Sequence, residues 1–315
     1  MLPELTLARG LSSWRPDPVA LAAVALLGGT YGTGVVRRRR AGRSWPVART
    51  GAFVVLGLGT IVVATMSSLA VYDRVLFWPA AVQNILLDLL APLGLALGDP
   101  LGLAAPDGPL YRAVTSPPAK VLTFPLVSSL VVLASELTVY FTPYFAASLH
   151  SDAVRRLMQA QLLFTGCLFV LPMLTGRDLL PRWCTHPVRA ALVFLDGLFD
   201  SVPGIVVMTS GTSVAGRWYA AQGRTWGPGV RQDQRLGGGL MLSLAELVAV
   251  PFLIAVFAEW WRADRAKARD LDARLDREPA PAATPAGADG PGPDLVRPWW
   301  ETEDGEVGRR MREGR

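Results

Sequence analysis

Seven apolar runs, separated by short polar stretches, dominate the chain: Asp17–Val36, Gly51–Leu69, Pro79–Gly98, Lys120–Phe141, Leu157–Thr175, Pro187–Thr209 and Gly238–Trp261. A helix needs roughly 20 mostly apolar residues to cross a bilayer, and each run is about that long. The pattern predicts an all-α polytopic membrane helix bundle of about seven transmembrane helices. It also divides the chain, with residues 1–16 as an N-terminal extracytoplasmic segment and 17–261 as the transmembrane domain. Residues 262–278, RADRAKARDLDARLDRE, read as a charged cytoplasmic helix anchored by Trp260 and Trp261. Residues 279–315 follow as a Pro/Ala/Gly-rich tail expected to be disordered, with a docking motif through Trp299 and Trp300 as the alternative reading of its end.

Charge orients the bundle. Arg37, Arg38, Arg39, Arg40 and Arg43 follow the first apolar run instead of preceding it. A cleaved signal peptide carries its positive charge before the run, so the first helix is expected to stay, with the N-terminus outside and the C-terminus inside. Loops 37–49, 99–119 and 176–186 then lie in the cytoplasm. The stretch 210–237 argues the other way, because Arg217, Arg224, Arg231 and Arg235 fall on its outer side.

Composition fits a multi-pass protein of the cell membrane. Hydrophobic residues make up 51% of the 315, and charged residues only 18%, against about 25% in soluble domains. The basic pI of about 9.6 suits anionic lipid head groups better than nucleic acid, which is not expected as a partner. Cys167 and Cys184 have no spacing that suggests a disulfide or zinc site. His150 and His186 are expected on opposite sides of the membrane and cannot share a metal. No phosphate-binding loop, nucleophile elbow or HExxH occurs, so no enzyme is expected.

The candidate chemistry lies inside the apolar runs. The third holds Gln83, Asn84 and Asp88, and others hold Glu136, Gln159, Gln161, Asp196, Asp200 and Glu246. Asn84 and Asp88 are four apart, as are Asp196 and Asp200, so each pair shares a helix face. Pro92, Pro203 and Pro251 each free the carbonyl four residues earlier, beside Asp88, Asp200 and Glu246 respectively. Lipid rejects such groups, so they are expected to converge in the bundle interior. The candidate polar pocket is Asn84, Asp88, Gln161, Asp196, Asp200 and Glu246. One reading is structural, with protonated carboxyls bonded across helices. Another is an oxygen-rich pocket for a proton, water or hard cation.

GRTWGP at 223–228, DQRLGGGLM at 233–241, Glu246 and the charged helix after the last run resemble the CtaG-type cytochrome c oxidase assembly proteins. YFTP at 140–143, LLFTGCLFVLPML at 162–174 and the VQ…APLGLALGDP pattern at 82–100 resemble the same family. The resemblance implies a seven-span fold and a role in maturing haem-copper oxidases, with copper delivery proposed for the family. Asp233, Gln234, Gly237, Gly238 and Gly239 match its pattern, while Arg235 stands where Gln is usual. The family's usual histidines correspond here to Ala80, Asn84, Arg155, Gln161 and Asp200, and a common Met to Asp88. Oxygen donors or none replace soft ligands, so the resemblance implies the fold more firmly than the copper site. No cofactor is expected. The expected function is a membrane accessory factor in oxidase assembly without the histidine copper site, in the lipid bilayer and with haem-copper oxidase subunits as partners. The alternatives are a proton or cation transporter using the intramembrane carboxylates, and copper held by unexpected ligands such as Met208 or Met241.

Overall fold

The computed structural model describes residues 2–104, 108–175, 180 and 183–275. The tail from 279 and the Trp299/Trp300 stretch lie outside them. The chain divides into two compact units, Met1–Ala263 and Asp264–Arg315. Among the described residues of the second unit, the chain is helical and exposed.

The principal helices are α1 (Pro18–Arg40), α2 (Val47–Tyr72), α3 (Phe77–Leu103), α4 (Pro125–Phe141), α5 (Tyr144–His150), α6 (Asp152–Leu174), α7 (His186–Thr209) and α8 (Val230–Leu275). Six are long and apolar enough to cross a membrane, and α4 with α5 makes a seventh if that bent pair counts as one span. No strand forms among the described residues.

Local sequence sets the helix boundaries. Asp17 caps α1, its Oδ1 accepting from Val19 N at 2.8 Å and Ala20 N at 3.3 Å, with Pro18 pre-set for the first turn. Ser151 caps α6. The fourth span begins at Pro125 rather than Lys120, because Phe124 is held extended before that proline. Thr142 is likewise extended (φ −120°, ψ 172°) before Pro143, and α5 leaves α4 at 63°.

Packing makes α3 the central helix. Of its most apolar window 78% is buried, against 11% for α1. Glycines let its neighbours come close. A Cβ on Gly94 would lie 2.2 Å from Gly57 N on α2, and one on Gly166 of α6 would lie 1.9 Å from the Asp88 carbonyl oxygen. Large apolar side chains point outward instead, with Phe164 and Phe194 each 62% exposed and Leu247 67% exposed. Such surface is stable in lipid rather than water.

Polar contacts gather at the two ends of the bundle. At one end Tyr72 OH donates to Pro3 O, Trp226 Nε1 to Leu2 O, and Tyr219 OH to Asp73 O. At the other, Tyr31 OH donates to Gly98 O at 2.9 Å and Arg49 pairs with Asp99 at 2.6 Å. The arginines of 210–237 are not all free charges. Arg224 pairs with Asp233 at 3.2 Å, both side chains buried, and Arg231 donates to Gly211 O.

Candidate functional site

Four helices each bring polar side chains one turn apart to the bundle interior. Asn84 and Asp88 come from α3, Glu136 and Tyr140 from α4, Gln161 and Thr165 from α6, and Asp196 and Asp200 from α7. The i,i+4 spacing puts each pair on a single face. All but Gln161, which is half-buried, are buried. Around Asp88 the α3 backbone widens into a π-type turn over Leu86–Leu90, a common device at polar sites within helices. Pro92 has no N–H to offer the Asp88 carbonyl four residues earlier, and that oxygen packs against Gly166.

The side chains are linked. Asn84 Nδ2 donates to Tyr140 OH at 3.0 Å. Thr165 Oγ1 lies 3.4 Å from both Asp88 Oδ1 and Ser135 Oγ, and Gln161 Nε2 donates to Ser135 Oγ at 2.9 Å. Ser129 Oγ donates to Asp196. The carboxyls of Asp88 and Glu136 lie within hydrogen-bonding reach of each other. A hydrogen bond between two carboxyls requires a proton on one of them. Apart from that pairing, Asp88 Oδ2 and Glu136 Oε2 are buried without a donor, and so is Asn84 Oδ1. Among the described residues no Lys or Arg forms an ion pair with Asp88, Glu136, Asp196 or Asp200.

Asp88, Asp196 and Asp200 line a cavity of about 20 Å³ whose other walls are apolar, among them Val132, Phe169, Ala245 and Phe252. That volume holds about one water molecule. Copper favours soft nitrogen and sulfur donors, whereas these donors are hard oxygens. Among the described residues no group of three or more His, Cys, Asp or Glu is placed to hold a metal ion. The donors gathered here are thus hard oxygens and not the soft ligands that copper prefers. Met241 is fully buried, and the Met208 sulfur packs near Gly239.

Five of the six pocket residues expected from sequence come together here. Glu246 does not. It is exposed on α8, next to the outward-facing Leu247, while Ala245 and Val248 face the cavity. Its place is taken by Glu136, a buried carboxyl whose orientation the sequence left open.

The motif residues of α8 hold the bundle together. Asp233, wholly buried, accepts from Phe77 N at 2.9 Å and Trp78 N at 3.1 Å, and so caps α3 from another helix. Gln234 accepts from Val214 N and donates to the carbonyls of Val207 and Thr212. A Cβ on Gly237 would meet Phe77 Cδ1 at 2.5 Å, and one on Gly238 would meet Met208 N at 2.7 Å; at Gly239 the nearest atom is 3.9 Å away. The first two permit close helix packing, and the third is not required for it.

A family model described as cytochrome c oxidase caa3 assembly factor (Caa3_CtaG) matches residues 29–263. Uncharacterized proteins of Mycobacterium bovis and Mycobacterium tuberculosis are each 31% identical over 286 residues, covering 87% of this chain and 43% of the relative. An uncharacterized protein of Mycobacterium leprae is 28% identical over 287 residues, covering 86% and 43%. The chain thus spans less than half the length of the curated relatives it matches. No solved structure matches.

Proposed function

The chain belongs to the caa3-type cytochrome c oxidase assembly factor family, and we propose that it serves haem-copper oxidase assembly as a non-catalytic membrane accessory factor without a histidine copper site. The observation that carries this reading is the family match over residues 29–263. The motif residues Asp233, Gln234, Gly237 and Gly238 support it by doing architectural work, while the central cluster offers oxygen donors only. In this reading the carboxyls are a structural polar core, held by shared protons and hydroxyl donors. The protein sits in the cell membrane with its N-terminus outside and C-terminus inside. Partners are oxidase subunits in the same membrane. A clean deletion tests the role: oxidase activity and subunit I accumulation are expected to fall, and normal levels of both would contradict it.

One observation favours a second reading, movement of a proton through the bundle. Tyr140, bonded to Asn84, also lines an open cavity of about 320 Å³ with Thr142, Ser210 and Ser213. A polar file thus runs from that cavity toward Glu136 and Asp88. Proton flux in proteoliposomes that is lost in Asp88→Asn would support this reading, and flux unchanged by that substitution would remove it.

A further inference from the structure

A second polar cavity lies away from the central cluster, at the start of α1. Its volume is about 100 Å³, and Arg15, Asp17, Thr65, Arg155 and Arg156 are among its walls. Three guanidinium-bearing residues thus border the cavity against one carboxylate, Arg155 buried, Arg156 part-exposed and Arg15 exposed.

The pairing leaves a surplus of positive charge. Arg155, with its side chain 8% exposed, bonds Asp73 at 3.0 Å and Asp152 at 3.1 Å. Its Nε is buried and has no partner. Arg156 pairs with Asp17 at 3.2 Å. Asp17 is already engaged by the backbone N–H groups of Val19 and Ala20. Asp152 is shared with Arg74 at 2.6 Å. Among the described residues no carboxylate lies within ion-pair distance of Arg15. Four arginines (15, 74, 155, 156) thus face three aspartates (17, 73, 152), an excess of one positive charge. Arg155 and Arg156 also occupy the first turns of α6, where the helix dipole favours an anion.

We propose that this cavity binds the phosphate group of a monoanion, as found in a lipid phosphodiester head group or in free dihydrogen phosphate. Guanidinium groups match phosphate oxygens with paired N–H donors. Arg15 borders the cavity from an exposed position with no carboxylate in ion-pair distance among the described residues, and the Arg156 side chain beside it is 41% exposed, so both guanidinium groups can turn N–H donors toward an anion entering from outside. One negative charge offsets the surplus. The cavity has room for a phosphate group, several times the volume of the central one. It also sits beside α1, the least buried span, where a lipid has lateral access.

The test uses the full chain purified and delipidated in a nonionic detergent. Thermal unfolding is followed during titration with phosphatidylglycerol, with inorganic phosphate alone, and with chloride at matched ionic strength. Stabilisation by phosphatidylglycerol that outlasts detergent washing assigns the site to lipid, and stabilisation by inorganic phosphate alone assigns it to the free anion. Arg15→Gln, at an exposed position outside the buried ion pairs, is expected to weaken the effective titrant about tenfold, the loss of one charge-assisted hydrogen bond. Arg269→Gln, on the exposed end of α8, is expected to leave it unchanged. No stabilisation beyond that of chloride, or equal stabilisation of wild type and Arg15→Gln, would overturn the proposal.

Discussion

Asp233 accepts hydrogen bonds from the backbone N–H groups of Phe77 and Trp78, more than 150 positions earlier in the chain. A side chain of α8 is therefore the N-terminal cap of α3, the most deeply packed helix of the bundle. The same carboxyl neutralises Arg224. Asp233→Ala leaves two helix donors uncapped and a buried guanidinium unpaired, so a loss of about 3 kcal/mol is expected. Asp233→Asn keeps an acceptor and should cost less. Thermal unfolding in detergent measures both, and equal stability of Asp233→Ala and wild type would refute the capping role.

Glycine contacts give an internal comparison. Gly166→Ala drives a methyl into the Asp88 carbonyl, and Gly238→Ala drives one into the Met208 backbone. Each should lower stability by about 1–3 kcal/mol through overpacking. Gly239→Ala meets nothing closer than 3.9 Å and should gain about 0.5–1 kcal/mol from helix propensity. The unfolding temperatures should rank Gly239→Ala above wild type, and wild type above the other two.

The Asp17 cap makes stability depend on pH. Burial pushes its carboxyl up, but the N–H groups of Val19 and Ala20 and the Arg156 guanidinium outweigh burial and hold it below its ordinary value. The folded state therefore binds the Asp17 proton more weakly than the unfolded chain does. The resulting stabilisation is complete above the unfolded value of about 3.9 and is lost as pH falls through the lower folded value. Asp17→Asn should be less stable than wild type at pH 7, and the gap should close toward pH 3. A gap that stays constant would exclude this linkage.

Glu246 faces outward from α8 beside Leu247 and Val250. A carboxyl in that position opposes membrane insertion without bracing the bundle. Glu246→Leu should favour insertion of the last span by on the order of 2–3 kcal/mol and leave the unfolding temperature in detergent unchanged. A clear drop in that temperature would mean that Glu246 holds an interior contact.

Different features were legible in the sequence to different depths. The spans could be read from hydropathy because lipid demands long apolar helices. The pairs Asn84/Asp88 and Asp196/Asp200 could be read from spacing, since four residues is about one turn. Glu136 had no acidic partner one turn away, so its face was undetermined until Asp88 appeared opposite it. Glu246 misled because α8 is apolar all around in that region, leaving no polar stripe to mark its inner side. The break at Thr142 did have a signal in Pro143, which forces the preceding residue out of helical geometry. The capping of Phe77 by Asp233 had none, because nothing local to either residue specifies the other.

If the oxidase depends on the fold rather than on an ion held by the carboxyls, replacing those carboxyls with amides should be harmless to assembly. The direct measurement is haem-copper oxidase activity in membranes of a deletion strain complemented with the Asp88→Asn/Asp200→Asn double variant at wild-type abundance. Restoration to the level given by the wild-type chain is expected. Failure to restore activity, with the variant present at full abundance, would contradict the structural role assigned to the cluster.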